Sequence, residues 1–187
     1  MNPYIVLAKK AVETHIKEGK IISPPNDLPK EFYERKAGVF VTIMKDNELR
    51  GCIGTSLPTK KNIAEEIISN ALAAAVEDYR FEPVEEKELS HLSYTVYILS
   101  EPELVEDINT LDPKKFGIIV KTMPIKSPTG IDVLFDGHFR LKSGLLLPDL
   151  EGVDTVKEQI SITCQKAGIN PLKEKIIIYK FTAEKYQ

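Results

Sequence analysis

The chain has no tryptophan and only two cysteines, Cys52 and Cys164, far apart and each isolated. That excludes a disulfide framework, and without a Cys-x-x-Cys pair it excludes a zinc ribbon or a dithiol redox motif. The three histidines, His15, His91 and His138, fall in three separate segments without ligand spacing, so no metal site is expected from the chain's own His and Cys. No apolar run approaches the roughly 20 residues that cross a bilayer. The N-terminus lacks the basic-then-apolar layout of a signal peptide, and a cytoplasmic location is expected. The formal net charge of −3 over 187 residues, with basic residues spread along the chain, argues against a surface that neutralises phosphates. No phosphate loop, dinucleotide fingerprint or Ser-His-Asp order occurs, so no cofactor is expected.

What is present is amphipathic. Ile5, Ala8, Val12 and Ile16 mark a helix over Pro3–Glu18, with Gly19 as its stop. Pro24, Pro25 and Pro29 make the next stretch a connector, and Glu31–Lys36 reads as a short polar turn. Val39–Met44 and Leu49–Thr55 flank a turn-like Lys45–Glu48, which predicts an antiparallel hairpin. Asn62 and Glu65 then open a helix from Ile63 to about Asp78, with a continuous Ile/Leu/Ala stripe. Further strands are expected at Leu92–Leu99, Phe116–Lys121, Ile131–Phe135, Leu141–Leu147 and Lys175–Phe181, and a last helix opens at Thr155 and Glu158. The fold class is α+β: a mainly antiparallel curved sheet with helices packed on it, one domain over residues 1–187 without a clear linker.

The informative segment is Leu49-Arg50-Gly51-Cys52-Ile53-Gly54. On an extended strand Leu49 and Ile53 point one way, Arg50 and Cys52 the other. Glycine is costly in a strand. Gly51 therefore suggests close approach by another element, and Gly54 an open volume beside the thiol. Two readings stand. In one, Arg50 activates Cys52 as a nucleophile or ligand-binding thiolate. In the other, Cys52 is a small buried hydrophobe and Arg50 reaches a structural carboxylate. Asp78 and Arg80 admit the same pair of readings, a polar-ligand site or an ion pair ordering the turn after the helix. Asp149, after Pro148, is a candidate pocket carboxylate, His91 and His138 fit surface positions, Phe81 fits the core, and Cys164 falls on the apolar stripe of the last helix.

The segment resembles the signature of the AMMECR family, and the resemblance runs from about Pro3 to Lys185. It includes Gly38–Thr42, Asp78–Val84, Gly144–Pro148 and Cys164–Gly168. Asp149 stands where many members have Gln, Tyr79 replaces the usual Pro of Asp-Pro-Arg-Phe, and Lys121–Gly130 is longer than the usual connection. The resemblance implies an α+β fold of two interleaved subdomains and brings no settled activity. It also implies a shared pathway with Memo-like and radical-SAM-like proteins, the former sometimes fused to it. Three functions follow as expectations. The first is an enzyme or enzyme subunit with a small pocket at Arg50, Gly51, Cys52 and Gly54; the second is a binding or adaptor module; the least favoured is an RNA-binding module.

Overall fold

A computed structural model describes residues 2–123 and 141–187. The strand expected at Ile131–Phe135, His138 and most of the Lys121–Gly130 connection lie outside the described residues. The chain divides into two compact units, residues 1–101 with 184–187, and residues 102–183. The sequence pattern suggests a single sheet; the structure has two open four-stranded sheets, one ordered β2-β1-β3-β8 and one ordered β4-β7-β5-β6.

The first unit begins with α1 (Pro3–Glu18), capped by Asn2 and stopped by Gly19 in the left-handed conformation (φ 67°). Next comes α2 (Glu31–Glu34), where the sequence suggests only a polar turn. The difference is one residue: Phe32 is fully buried and packs its ring 4.4 Å from that of Tyr4, which anchors a single helical turn that its neighbours would not hold. β1 (Val39–Lys45) and β2 (Glu48–Gly54) pair antiparallel around Asp46 and Asn47, both with positive φ, as a tight hairpin requires. β3 (Leu92–Leu99) pairs with the other side of β1. α3 (Ile63–Val76) and α1 cover the face that carries Val39, Val41, Ile43, Val96 and Ile98, all without solvent access. A short terminal strand, β8 (Ala183–Tyr186), completes the order, and Tyr186 stacks on Tyr4 with centroids 4.0 Å apart.

Between β2 and α3, residues 55–62 wind round a carboxylate. Glu66 is 1% exposed and accepts hydrogen bonds from Thr55 Oγ1 (2.8 Å), Thr59 N (2.7 Å), Thr59 Oγ1 (2.8 Å) and Lys60 N (2.7 Å). Burial opposes its ionisation, yet these donors hold its pKa below the ordinary range. Glu66→Gln turns an amide N–H toward donors that need an acceptor. A loss of about 1–3 kcal/mol is expected, measured as a lowered denaturation midpoint.

The second unit holds β4 (Glu103–Leu104), β5 (Gly117–Thr122), β6 (Ser143–Leu146), α4 (Val156–Lys166) and β7 (Ile176–Phe181). α4 opens on a reciprocal capping box between Thr155 and Glu158 and packs on β5 and β6. Its core joins Ile118, Val120, Leu146 and Cys164. Cys164 is 2% exposed and burial pushes its thiol pKa up, so it is expected to stay unreactive in the folded protein.

Candidate functional site

β2 is an edge strand, and its register fixes what each residue of Leu49–Gly54 faces. Ile43 pairs with Gly51 and Met44 with Leu49, which leaves Arg50 without a partner on β1. This bulge breaks the expected alternation. Leu49, expected on the same face as Ile53, sits opposite Met44 and is 41% exposed. Gly51 lies against α3, where an added Cβ would stand 2.0 Å from the carbonyl oxygen of Ala74. The helix backbone therefore rests directly on the strand.

Gly54 does not leave open space. It pairs with Phe40, and a Cβ there would lie 2.2 Å from the Phe40 ring. The aromatic ring fills the volume that the missing side chain vacates.

Arg50 is committed away from the thiol. Its Nε and Nη2 donate to the two carboxylate oxygens of Glu88, each at 3.0 Å, and Nη1 and Nη2 donate to the carbonyls of Glu82 (2.9 Å) and Pro83 (3.3 Å). Glu88 also accepts from Lys45 Nζ (3.0 Å) and from the backbone N–H of Glu85 (2.9 Å). The Arg50 hydrogen bonds, first, hold the nearly buried Glu88 carboxyl down at about 2. This is the structural-carboxylate reading of Arg50, and the partner lies 38 residues along the chain.

Cys52 is half-buried. Thr42, its cross-strand partner, holds Oγ1 3.2 Å from the sulfur, and Thr95 continues the same row on β3. The outward backbone of Cys52 is gripped by the turn after α3: its N–H donates to Asp78 Oδ2 at 2.9 Å, and its carbonyl accepts from Arg80 Nη2 at 3.4 Å. Arg80 in turn donates to Asp78 through Nε (2.9 Å) and Nη2 (2.6 Å). Asp78 is 3% exposed and held at about 2, first by the Arg80 hydrogen bonds, against the opposing effect of burial. The pair covers edge-strand groups that would otherwise be open to another chain.

The Arg80 guanidinium, 44% exposed, lies 5.4 Å from the Phe81 ring centroid. Its pKa is raised, first by the hydrogen bond with Asp78. The cation that reaches Cys52 is therefore Arg80, through the backbone carbonyl. Sequence spacing along the strand suggested Arg50; Arg80 comes from 28 residues further on, where only the turn placed by Asp78 brings it back. Phe81 is half-buried where a core position was expected. His91 is exposed and stands 3.3 Å from Asp46 across the hairpin end.

Asp149 belongs to the second unit, is exposed, and adopts a positive φ of 55° with its N–H bonded to the Pro113 carbonyl (2.9 Å). Among the described residues no group of three or more His, Cys, Asp or Glu could hold a metal ion. No helix there is long and apolar enough to cross a membrane.

An α+β protein with two antiparallel sheets and a thiol on a braced edge strand is what the geometry defines. The AMMECR1 family model matches residues 5–186, and the chain belongs to that family. A Thermotoga maritima protein is 47% identical over 187 residues, covering 100% of this chain and 98% of its own length. A Clostridium acetobutylicum protein is 40% identical over the whole chain, yet the match spans only 36% of that longer protein. Among solved structures, an uncharacterised protein from Pyrococcus horikoshii shares the fold with a TM-score of 0.80 at 36% identity, covering 97% of this chain and 88% of that one.

Proposed function

We propose that the protein is an enzyme subunit that presents Cys52 as a reactive thiol, with Arg80 as its neighbouring cation and Thr42 as its hydrogen-bond partner. One observation carries this reading. Within Leu49–Gly54, packing consumes both glycines and a structural ion pair consumes Arg50, while Cys52 stays half-buried, with a hydroxyl beside its sulfur and the Arg80 guanidinium on its backbone carbonyl. Thiolate is the nucleophilic form of cysteine, and cations favour it.

No imidazole or carboxylate hydrogen-bonds the sulfur among the described residues. The proton acceptor or redox partner for a full turnover then comes from another protein or domain. The Clostridium relative, most of whose length lies outside the match, supports a domain that works joined to others. Memo-like and radical-SAM-like proteins, implied by the family resemblance, are the proposed partners, and a cytoplasmic setting goes with them. A second reading, a non-catalytic adaptor, draws support from the same braces, because Arg50, Gly51, Asp78 and Gly54 all have architectural work.

A native-state alkylation time course with site-resolved mass readout, from pH 6 to 9, separates the two. Cys52 is expected to be modified well before Cys164 throughout. Equal protection of both thiols until unfolding would leave the adaptor reading.

A further inference from the structure

The face of the first sheet turned away from α1 and α3 carries more than a thiol. By register, Thr42 on β1 stands between Cys52 on β2 and Thr95 on β3, so the three side chains form one row across the sheet. Thr42 Oγ1 lies 3.2 Å from the Cys52 sulfur. Thr95 is 9% exposed, and among the described residues its hydroxyl has no hydrogen-bond partner. A buried hydroxyl without a partner is costly, and its place in this row suits a donor to a group seated there. The next row, about 7 Å along the strands, pairs Phe40 with Tyr97, both half-buried and uncharged.

Leaving group and oxyanion together select the substrate. Among the described residues no imidazole or carboxylate bonds the sulfur. Asp78, on the Cys52 N–H, is ion-paired with Arg80 and held at about 2, so it has no proton to give. An amide or alkyl ester expels an amine or an alkoxide, which needs a general acid. A thioester expels a thiolate, whose thiol has a pKa of about 8.5, and that group leaves unaided. Exchange with a disulfide also expels a thiolate but develops no charge on oxygen, which leaves both hydroxyls without a use. In acyl transfer they have one. An oxygen on the carbon that the sulfur attacks comes within about 3 Å of the Thr42 hydroxyl, the distance at which a donor stabilises an oxyanion, and Thr95 supplies the second donor from the next strand.

We propose that Cys52 accepts an apolar acyl group from a thioester, with Thr42 and Thr95 donating to the oxyanion and the acyl chain lying over Phe40 and Tyr97. This substrate class rests on the reading of Cys52 as a reactive thiol. The sulfur lone pair forms the new S–C bond, and the carbonyl π pair moves onto oxygen. When that pair returns, the bond to the departing sulfur breaks, and the thiolate released carries away the charge that Cys52 brought. Nothing is oxidised or reduced.

The test treats the full chain at neutral pH with the N-acetylcysteamine thioester of hexanoate, with bis(2-hydroxyethyl) disulfide and with iodoacetamide, each read by site-resolved mass. All three consume the same thiolate, so rates divided by the iodoacetamide rate cancel the degree of ionisation. For folded Cys52 the thioester ratio is expected to exceed that of the cysteines in the unfolded chain by at least about ten-fold, a modest share of what oxyanion donors supply. Thr95→Val lowers that ratio several-fold, by more than it lowers the disulfide ratio, and Thr95→Ser retains it. The wild-type comparison does not depend on how any variant folds. A wild-type thioester ratio no higher than in the unfolded chain, or a Thr95→Val loss matched in the disulfide ratio, would overturn the proposal while leaving Cys52 a reactive thiol. Protection of Cys52 from all three reagents would remove the reactive-thiol reading with it.

Discussion

Gly51→Ala lowers the stability of the protein by about 3 kcal/mol, the upper end of the usual range for overpacking. The reason is geometric. A methyl at this position meets the Ala74 carbonyl at 2.0 Å, and that atom is helix backbone, which cannot rotate aside as a side chain can. Relief requires α3 to lift from β2, which disturbs Ile67, Ala71 and Ala75, all at most 2% exposed. Gly54→Ala is the matched comparison. Its obstacle is the Phe40 ring, which can turn, so the cost is smaller. Denaturant titration at unchanged m-value measures both. A Gly51→Ala protein within 1 kcal/mol of wild type would show that the strand and helix are not packed backbone to backbone.

The second large effect concerns the brace at Glu88. Arg50→Ala leaves a carboxylate that is 7% exposed with Lys45, itself 40% exposed, as its remaining charged partner among the described residues. Breaking a buried pair from one side costs about 3–5 kcal/mol, and the surviving Lys45 contact places the expected loss near the lower figure. The same brace makes stability depend on acid. Glu88 and Asp78 are both held at about 2 when folded, against ordinary values of 4.5 and 3.8. A depressed folded pKa means that the unfolded chain binds the proton first. The stabilisation is therefore complete above about pH 5, declines as pH falls through the ordinary carboxylate range, and is spent below about pH 2. Glu88→Gln shows a weaker dependence across that window. An acid profile identical to wild type would remove Glu88 from the account.

Much of this architecture was legible in the chain because it is local. The 3.6-residue stripes of α1, α3 and α4, the caps at Asn62 and Thr155, and the turn at Asp46-Asn47 are each determined by neighbours in sequence. The site was legible only as a segment. Strict alternation put Leu49 on the face of Ile53, and the missing side chain left space at Gly54. A single unpaired residue, Arg50, undoes the first, and Phe40 on the facing strand undoes the second. Both are facts of register, which a single strand does not carry. The partners that decide the roles of Arg50 and Cys52, namely Glu88, Asp78 and Arg80, lie 26 to 38 residues away. Phe32 shows the same limit for a short helix: one buried ring outweighs the polar composition around it.

The claim on which the functional reading rests is that Arg80 supplies the positive charge at Cys52. It is tested most directly by the ratio of two alkylation rates at Cys52, with anionic iodoacetate and with neutral iodoacetamide. Both reagents consume the same thiolate, so the ratio reports local charge and cancels the degree of ionisation. Arg80→Gln is predicted to lower the iodoacetate-to-iodoacetamide ratio several-fold, with Cys164 in the unfolded protein as the reference. An unchanged ratio in Arg80→Gln would contradict the assignment.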